Sequence, residues 1–152
     1  MRYDEFERLL SKLNISVIPK DKKRIRGYDV DTYRTMAKQT EKIDFDCCDG
    51  NSFCRYIHVN GVGCCADCVD TLGHWKREDG TLDDDSARMM AEYCDLHDGF
   101  CRDGTGCILP RELRSPVCLY HICSDAKMTE EEKDLLHKIK CGIDGSYRDP
   151  GE

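Results

Sequence analysis

Residues 53–68 run Phe53-Cys54-Arg55-Tyr56-Ile57-His58-Val59-Asn60-Gly61-Val62-Gly63-Cys64-Cys65-Ala66-Asp67-Cys68, four cysteines in sixteen positions around an Asn-Gly pair. Asn-Gly between apolar runs signals a tight two-residue hairpin turn, because both central positions of that turn need positive φ. With that turn Val59 faces Val62 and Tyr56 faces Cys65. Cys54 then shares a sheet face with Cys65, one diagonal step away, at about 7–8 Å between backbones. Strict alternation sends Cys64 to the opposite face. Cys64 and Cys65 therefore serve different sites, or the backbone kinks between them. Sulfur, more than a broad apolar face, is expected to organise this part of the chain.

Working outward, the twelve cysteines stand at 47, 48, 54, 64, 65, 68, 94, 101, 107, 118, 123 and 141, and the first 46 residues contain none. The chain has 152 residues, 39% of them apolar when cysteine is counted. Without the cysteines the apolar share drops to about a third, thin beside ordinary globular usage. A thin core joined to dense sulfur implies stapling by disulfides or metal. The opening residues, Met1-Arg2-Tyr3-Asp4-Glu5-Phe6-Glu7, lack the apolar centre of a secretory signal. A cytoplasmic location is therefore expected, where thiols stay reduced and dense cysteines read as metal ligands. Neighbours such as Cys47-Cys48 and Cys64-Cys65 are also poorly placed to bond each other. No apolar run reaches a membrane-span length, so no membrane partner is expected. A net charge of −7 and pI near 5.2 argue against nucleic acid, whose phosphates need clustered Lys and Arg.

The flanks carry helical signals. Phe6, Leu9, Leu10 and Leu13 fall on one stripe, closed by Asn14 and Pro19. Lys20–Arg26 reads as a solvated basic linker, with an acidic partner as the alternative. A second helix starts at Asp29 or Asp31 and runs to about Ile43, with Val30, Tyr33, Met36 and Ala37 inward. The polar stretch Thr71–Thr81 leads into a third helix, which Asp83, Asp84 and Asp85 cap and whose dipole they complement. Ala87, Met90, Ala91 and Cys94 form its inner stripe. Leu96–Cys123, rich in Gly and Pro, reads as loops. Thr129 with Glu132 forms a capping box for the last helix, striped by Leu135, Leu136, Ile139 and Ile143 and ended by Gly142.

Only one Cys-x-x-Cys knuckle is present, Cys65-Ala66-Asp67-Cys68, so the spacing is neither a zinc ribbon nor a zinc finger. The bacterial ferredoxin run is also missing. Soft ligands bind zinc, iron or an iron–sulfur cluster, and the spacing does not choose among them. No nucleophile elbow, phosphate loop or paired-carboxylate arrangement accompanies them, so whether the chain is an enzyme is left open.

The segment Gly106-Cys107-Ile108-Leu109-Pro110-Arg111-Glu112-Leu113-Arg114-Ser115-Pro116-Val117-Cys118-Leu119-Tyr120-His121-Ile122-Cys123 resembles the C-terminal cysteine motif of the YkgJ-type cysteine-cluster family. Gly61-Val62-Gly63-Cys64-Cys65 is similar to that family's earlier cysteine pair. Cys54 precedes Cys64 by ten residues, against the usual two or three, and Ser115 interrupts the commoner Arg-Pro. The resemblance spans roughly residues 47–123 and implies a zinc- or iron-chelating domain. It favours Cys54, Cys64, Cys65, Cys107, Cys118 and Cys123 as ligands. One or both of Cys94 and Cys101 are expected to join them, with Cys47, Cys48 and Cys68 as additions.

Cys141 lies outside these motifs. Among the histidines at 58, 74, 97, 121 and 137, only His121 draws attention, between Cys118 and Cys123; the others read as packed or solvated side chains. Arg55, Arg102, Arg111 and Arg114 stand ready to offset thiolate charge. Trp75 and Tyr120 read as core. The expectation is a small, mainly α, metal-stapled domain with a loop-rich cysteine centre and at most one short β-hairpin. Residues 1–46 form an N-terminal helical segment, and 47–152 a cysteine-cluster domain with the C-terminal helix. Ligands are expected from both the 47–68 and 94–123 segments, closing over a shared centre. The function expected is metal binding, largely structural. An iron–sulfur protein in electron transfer and a protein-interaction module with structural metal are the alternatives.

Overall fold

A computed structural model describes residues 1–43, 68–95, 99–102, 106–120, 128–143 and 145. The hairpin expected at Asn60-Gly61, together with Cys47, Cys48, Cys54, Cys64, Cys65 and Cys123, lies outside the described residues. What is described is mainly helical.

Helix α1, Tyr3–Lys12, carries Asp4 and Glu5 in its first turn and Lys12 in its last, charges that suit the helix dipole. Phe6 and Leu10 are fully buried, and Leu9 and Leu13 pack partly against the core. Asn14 turns the chain with φ of 60°, a conformation asparagine tolerates better than most residues. Strand β1, Ser16–Ile18, follows. Strands β2, Arg24–Ile25, and β3, Tyr28–Asp29, form a minimal antiparallel pair. Asp29 caps helix α2, Val30–Gln39, accepting from the Thr32 amide at 2.7 Å. A 3₁₀ turn, Thr40–Lys42, extends it to Ile43. Val30, Tyr33 and Ala37 are buried and Met36 is partly so, the face the periodicity predicts.

Helix α3, Cys68–Glu78, occupies most of the stretch read as a polar lead-in. Its apolar signal is short, Val69, Leu72 and Trp75 at intervals of three, too little to announce a helix, yet Leu72 and Trp75 are buried. Strand β4, Thr81–Asp83, then runs parallel to β1, pairing Ser16 with Thr81 and Ile18 with Asp83. This small pair joins the two halves of the sequence. Asp83 caps helix α4, Asp84–Tyr93, through the Ser86 amide at 2.9 Å. Its inner face is Ala87, Met90 and Ala91, as expected, and α4 packs on α1 and β1.

The region read as loops also contains regular structure. Strands β5, Cys101–Arg102, and β6, Gly106–Cys107, pair antiparallel. A 3₁₀ turn, Arg111–Leu113, packs against α2. Helix α5, Pro116–Tyr120, is five residues long. The described residues thus hold three two-strand pairings, each two or three residues long, beside six helices. Helix α6, Glu130–Cys141, has the full capping box of Thr129 and Glu132. Leu136 and Ile139 are buried, whereas Ile143 is exposed, because Gly142 ends the helix before the stripe reaches it. Gly142 has φ of 81°, and a Cβ there would collide with the Arg26 carbonyl, so only glycine suits this close approach.

One buried cluster draws on both ends of the chain, from Phe6 and Tyr33 through Trp75 and Phe100 to Ile139. Tyr33 and Trp75 meet edge to face with ring centroids 6.2 Å apart, the arrangement aromatic quadrupoles prefer. The basic island is solvated only in part: Asp21, Lys22 and Arg24 are exposed, whereas Lys23 and Arg26 are not. Lys23 is fully buried, its ammonium 2.7 Å from Asp79 Oδ1 and 2.9 Å from Thr81 Oγ1, and 5.5 Å from the Trp75 ring centre. Arg26 is buried too. Its amide donates to Glu78 Oε1 at 2.9 Å, its Nε lies 3.2 Å from Glu78 Oε2, and its Nη1 donates to the Lys140 carbonyl. The acidic partner of the island is the end of α3 in the same chain, more than fifty residues later.

Candidate metal centre

The described cysteines occupy defined places. Cys68 is the first residue of α3. Cys94 caps the end of α4 and is buried, as its stripe position predicts. Cys101 and Cys107 stand directly opposite each other in the β5–β6 register, a pairing the spacing did not reveal. The ladder continues with the Ile108 amide donating to the Phe100 carbonyl at 2.8 Å. Cys118 sits in α5 and is buried. Cys141 ends α6, half-buried, with its sulfur 3.7 Å from the His137 ring nitrogens one turn earlier.

Helix α5 is placed by its neighbours rather than by its own length. Ser115 precedes it and accepts from the Cys118 amide at 3.4 Å, and Pro116 supplies a preset φ for the first turn. The Ser115 hydroxyl also donates to Cys118 Sγ at 3.2 Å. On the other side of that sulfur is His74 of α3, its Nδ1 3.5 Å away. Helices α3 and α5 pack together, so elements that follow the 47–68 cysteines and elements within the 94–123 segment meet here. Tyr33 lies close by and donates its hydroxyl to the Arg114 carbonyl. Complete burial, with the nearby Cys118 sulfur and Glu78 as lesser causes, pushes its phenol well above the usual range.

Of the arginines expected to offset thiolate charge, Arg55 lies outside the described residues, and Arg111 and Arg114 reach into the scaffold. Arg111 donates to Thr40 Oγ1 at 2.8 Å and to the Leu119 carbonyl at 3.2 Å, and Arg114 to the Leu109 carbonyl at 2.9 Å. Among the described residues, no group of three or more His, Cys, Asp or Glu side chains converges as a complete metal site. Nothing local in the sequence singles out His74, because its helix has a short apolar stripe and its sulfur partner lies 44 residues away. No local signal could have joined the two.

An open cleft of about 670 Å³ lies elsewhere, beside the start of α2, lined by Lys20, Arg24, Asp29 and Asp31 among others. Lys20 and Asp31 close an ion pair there at 2.8 Å. Among the described residues, no cysteine lines it. No described helix is long and apolar enough to cross a membrane. Comparison of the chain with protein families, with curated proteins and with solved structures finds no match.

Proposed function

We propose that the chain binds a metal ion or cluster through cysteine thiolates drawn from Cys47, Cys48, Cys54, Cys64, Cys65, Cys68, Cys94, Cys101, Cys107, Cys118 and Cys123. The metal is zinc or iron and serves chiefly to hold the structure. The observation that carries this reading is the crowding of ten cysteines between Cys47 and Cys118 in a chain with none before residue 47. The cross-strand register of Cys101 with Cys107 and the burial of Cys94 and Cys118 support it. Residence in the reducing cytoplasm belongs with the same reading, since thiolates must stay reduced to bind metal.

Metal analysis by mass spectrometry, on full-length protein purified without oxygen, tests it. At least one tightly held ion per chain is expected. A colourless preparation indicates zinc, and a brown one an iron–sulfur cluster and the electron-transfer alternative. Protein that is folded, reduced and free of metal overturns the proposal.

A further inference from the structure

Cys118 and His74 are held by different helices, and the chain brings them to one point. Their separation, 3.5 Å between Sγ and Nδ1, is informative. A tetrahedral zinc ion with a Zn–S bond of about 2.3 Å and a Zn–N bond of about 2.0–2.1 Å sets its sulfur and nitrogen ligands about 3.5–3.6 Å apart. The two atoms therefore already stand at the edge length of a zinc tetrahedron.

The surroundings suit a ligand sulfur. Cys118 is buried, and the fully buried Ser115 hydroxyl donates to its Sγ at 3.2 Å. A hydroxyl in that place stabilises a thiolate and fixes its direction, as outer partners of metal ligands do. The same Ser115 oxygen accepts from the Cys118 amide, so its proton is directed away from the backbone and toward sulfur. His74 sits on α3, whose buried Leu72 and Trp75 fix the helix against the core. Neither ligand depends on a floppy arm.

We infer that His74 is a nitrogen ligand of the metal centre, binding through Nδ1 next to Cys118, which makes the centre a mixed sulfur–nitrogen zinc site. This inference rests on the metal-binding reading above. It adds a ligand that the cysteine pattern does not contain, and it sets a mixed sulfur–nitrogen shell against an all-sulfur cluster at this position.

The competing account is a thiol–imidazole hydrogen bond with no metal between the two atoms. Full-length protein expressed with added zinc and purified without oxygen separates the accounts. X-ray absorption at the zinc edge should show nitrogen as well as sulfur in the first shell of the wild-type protein. His74→Ala should lose one zinc per chain, or bind it more than about tenfold more weakly in chelator competition, since even outer-shell changes cost 10–100-fold. His74→Cys should keep the ion, with sulfur replacing nitrogen in the shell. This variant decides the matter should the alanine variant fail to fold. His137→Ala, beside the half-buried Cys141, is the control and should keep its full zinc content.

A wild-type shell of sulfur alone overturns the inference and leaves the metal-binding reading standing. So does a His74→Ala protein with unchanged zinc affinity and shell, or a His137→Ala loss equal to that of His74→Ala. Wild-type protein that folds without metal overturns both.

Discussion

Helix α2 is ten residues long, is capped by Asp29, and buries Val30, Tyr33 and Ala37 on one face. Helix α5 is half that length and contains one of the candidate ligands. Five residues scarcely repay the cost of nucleating a helix, so α5 exists because other parts of the chain hold it. Ser115 caps its start, Arg111 binds the Leu119 carbonyl at its end, and Tyr33 of α2 anchors the preceding Arg114 carbonyl. The cysteine-free beginning of the chain and the long helices α4 and α6 are organised by apolar stripes. The elements that carry Cys101, Cys107 and Cys118 are short, and polar ties hold α5 to that framework. On the reading proposed here, metal supplies what their small apolar area does not.

The largest expected effect is that of metal removal. Structural zinc contributes about 10–16 kcal/mol in zinc-finger peptides, more than any single side chain does. Chelation of the reduced protein should therefore erase its near-UV circular dichroism and its cooperative melt. A metal-free, reduced protein that keeps both would mean that the two regions are supported alike. Next, Cys118→Ser should lower the metal content per chain, whereas Cys141→Ser, at the end of α6, should leave it unchanged. Equal losses would show that the ligands are not confined to the short elements.

Within the framework the strongest test is Glu78→Ala. The Arg26 and Glu78 side chains are 1% and 5% exposed, and removing one partner of such a pair costs about 3–5 kcal/mol by leaving the other charge buried. An unfolding free energy from urea denaturation lowered by that amount, with metal content unchanged, would separate framework stability from the metal centre. A change near zero would mean that water or another group takes over the guanidinium. The smallest effect is expected for Thr129→Ala, which removes the capping box of α6. It should lower stability by about 1 kcal/mol in the same assay. A much larger loss, or any loss of metal, would show that the start of α6 belongs to the sulfur-bearing region.

Helices α1, α2, α4 and α6 were legible in advance. Their signals are local: apolar spacing, an acidic or threonine cap, acids early and bases late. Each acts within a turn or two, and sequence order alone carries it. Helix α3 was not legible, since Val69, Leu72 and Trp75 are too few to show a period, and α5 is too short to have one. The cysteine crowding was plain, while the facing of Cys101 and Cys107 was not.

Taken by itself, the sequence determined that the chain is mainly helical, roughly where its four well-marked helices lie, and that thiols concentrate after residue 46. Only the tertiary structure decided that β1 pairs with β4, that Lys23 and Arg26 are buried against Asp79 and Glu78, and that His74 faces Cys118. Each of these joins residues 44 to 65 positions apart. Such contacts depend on closing long loops around a shared core. A charged side chain shows no sign in sequence of the distant partner that makes its burial tolerable.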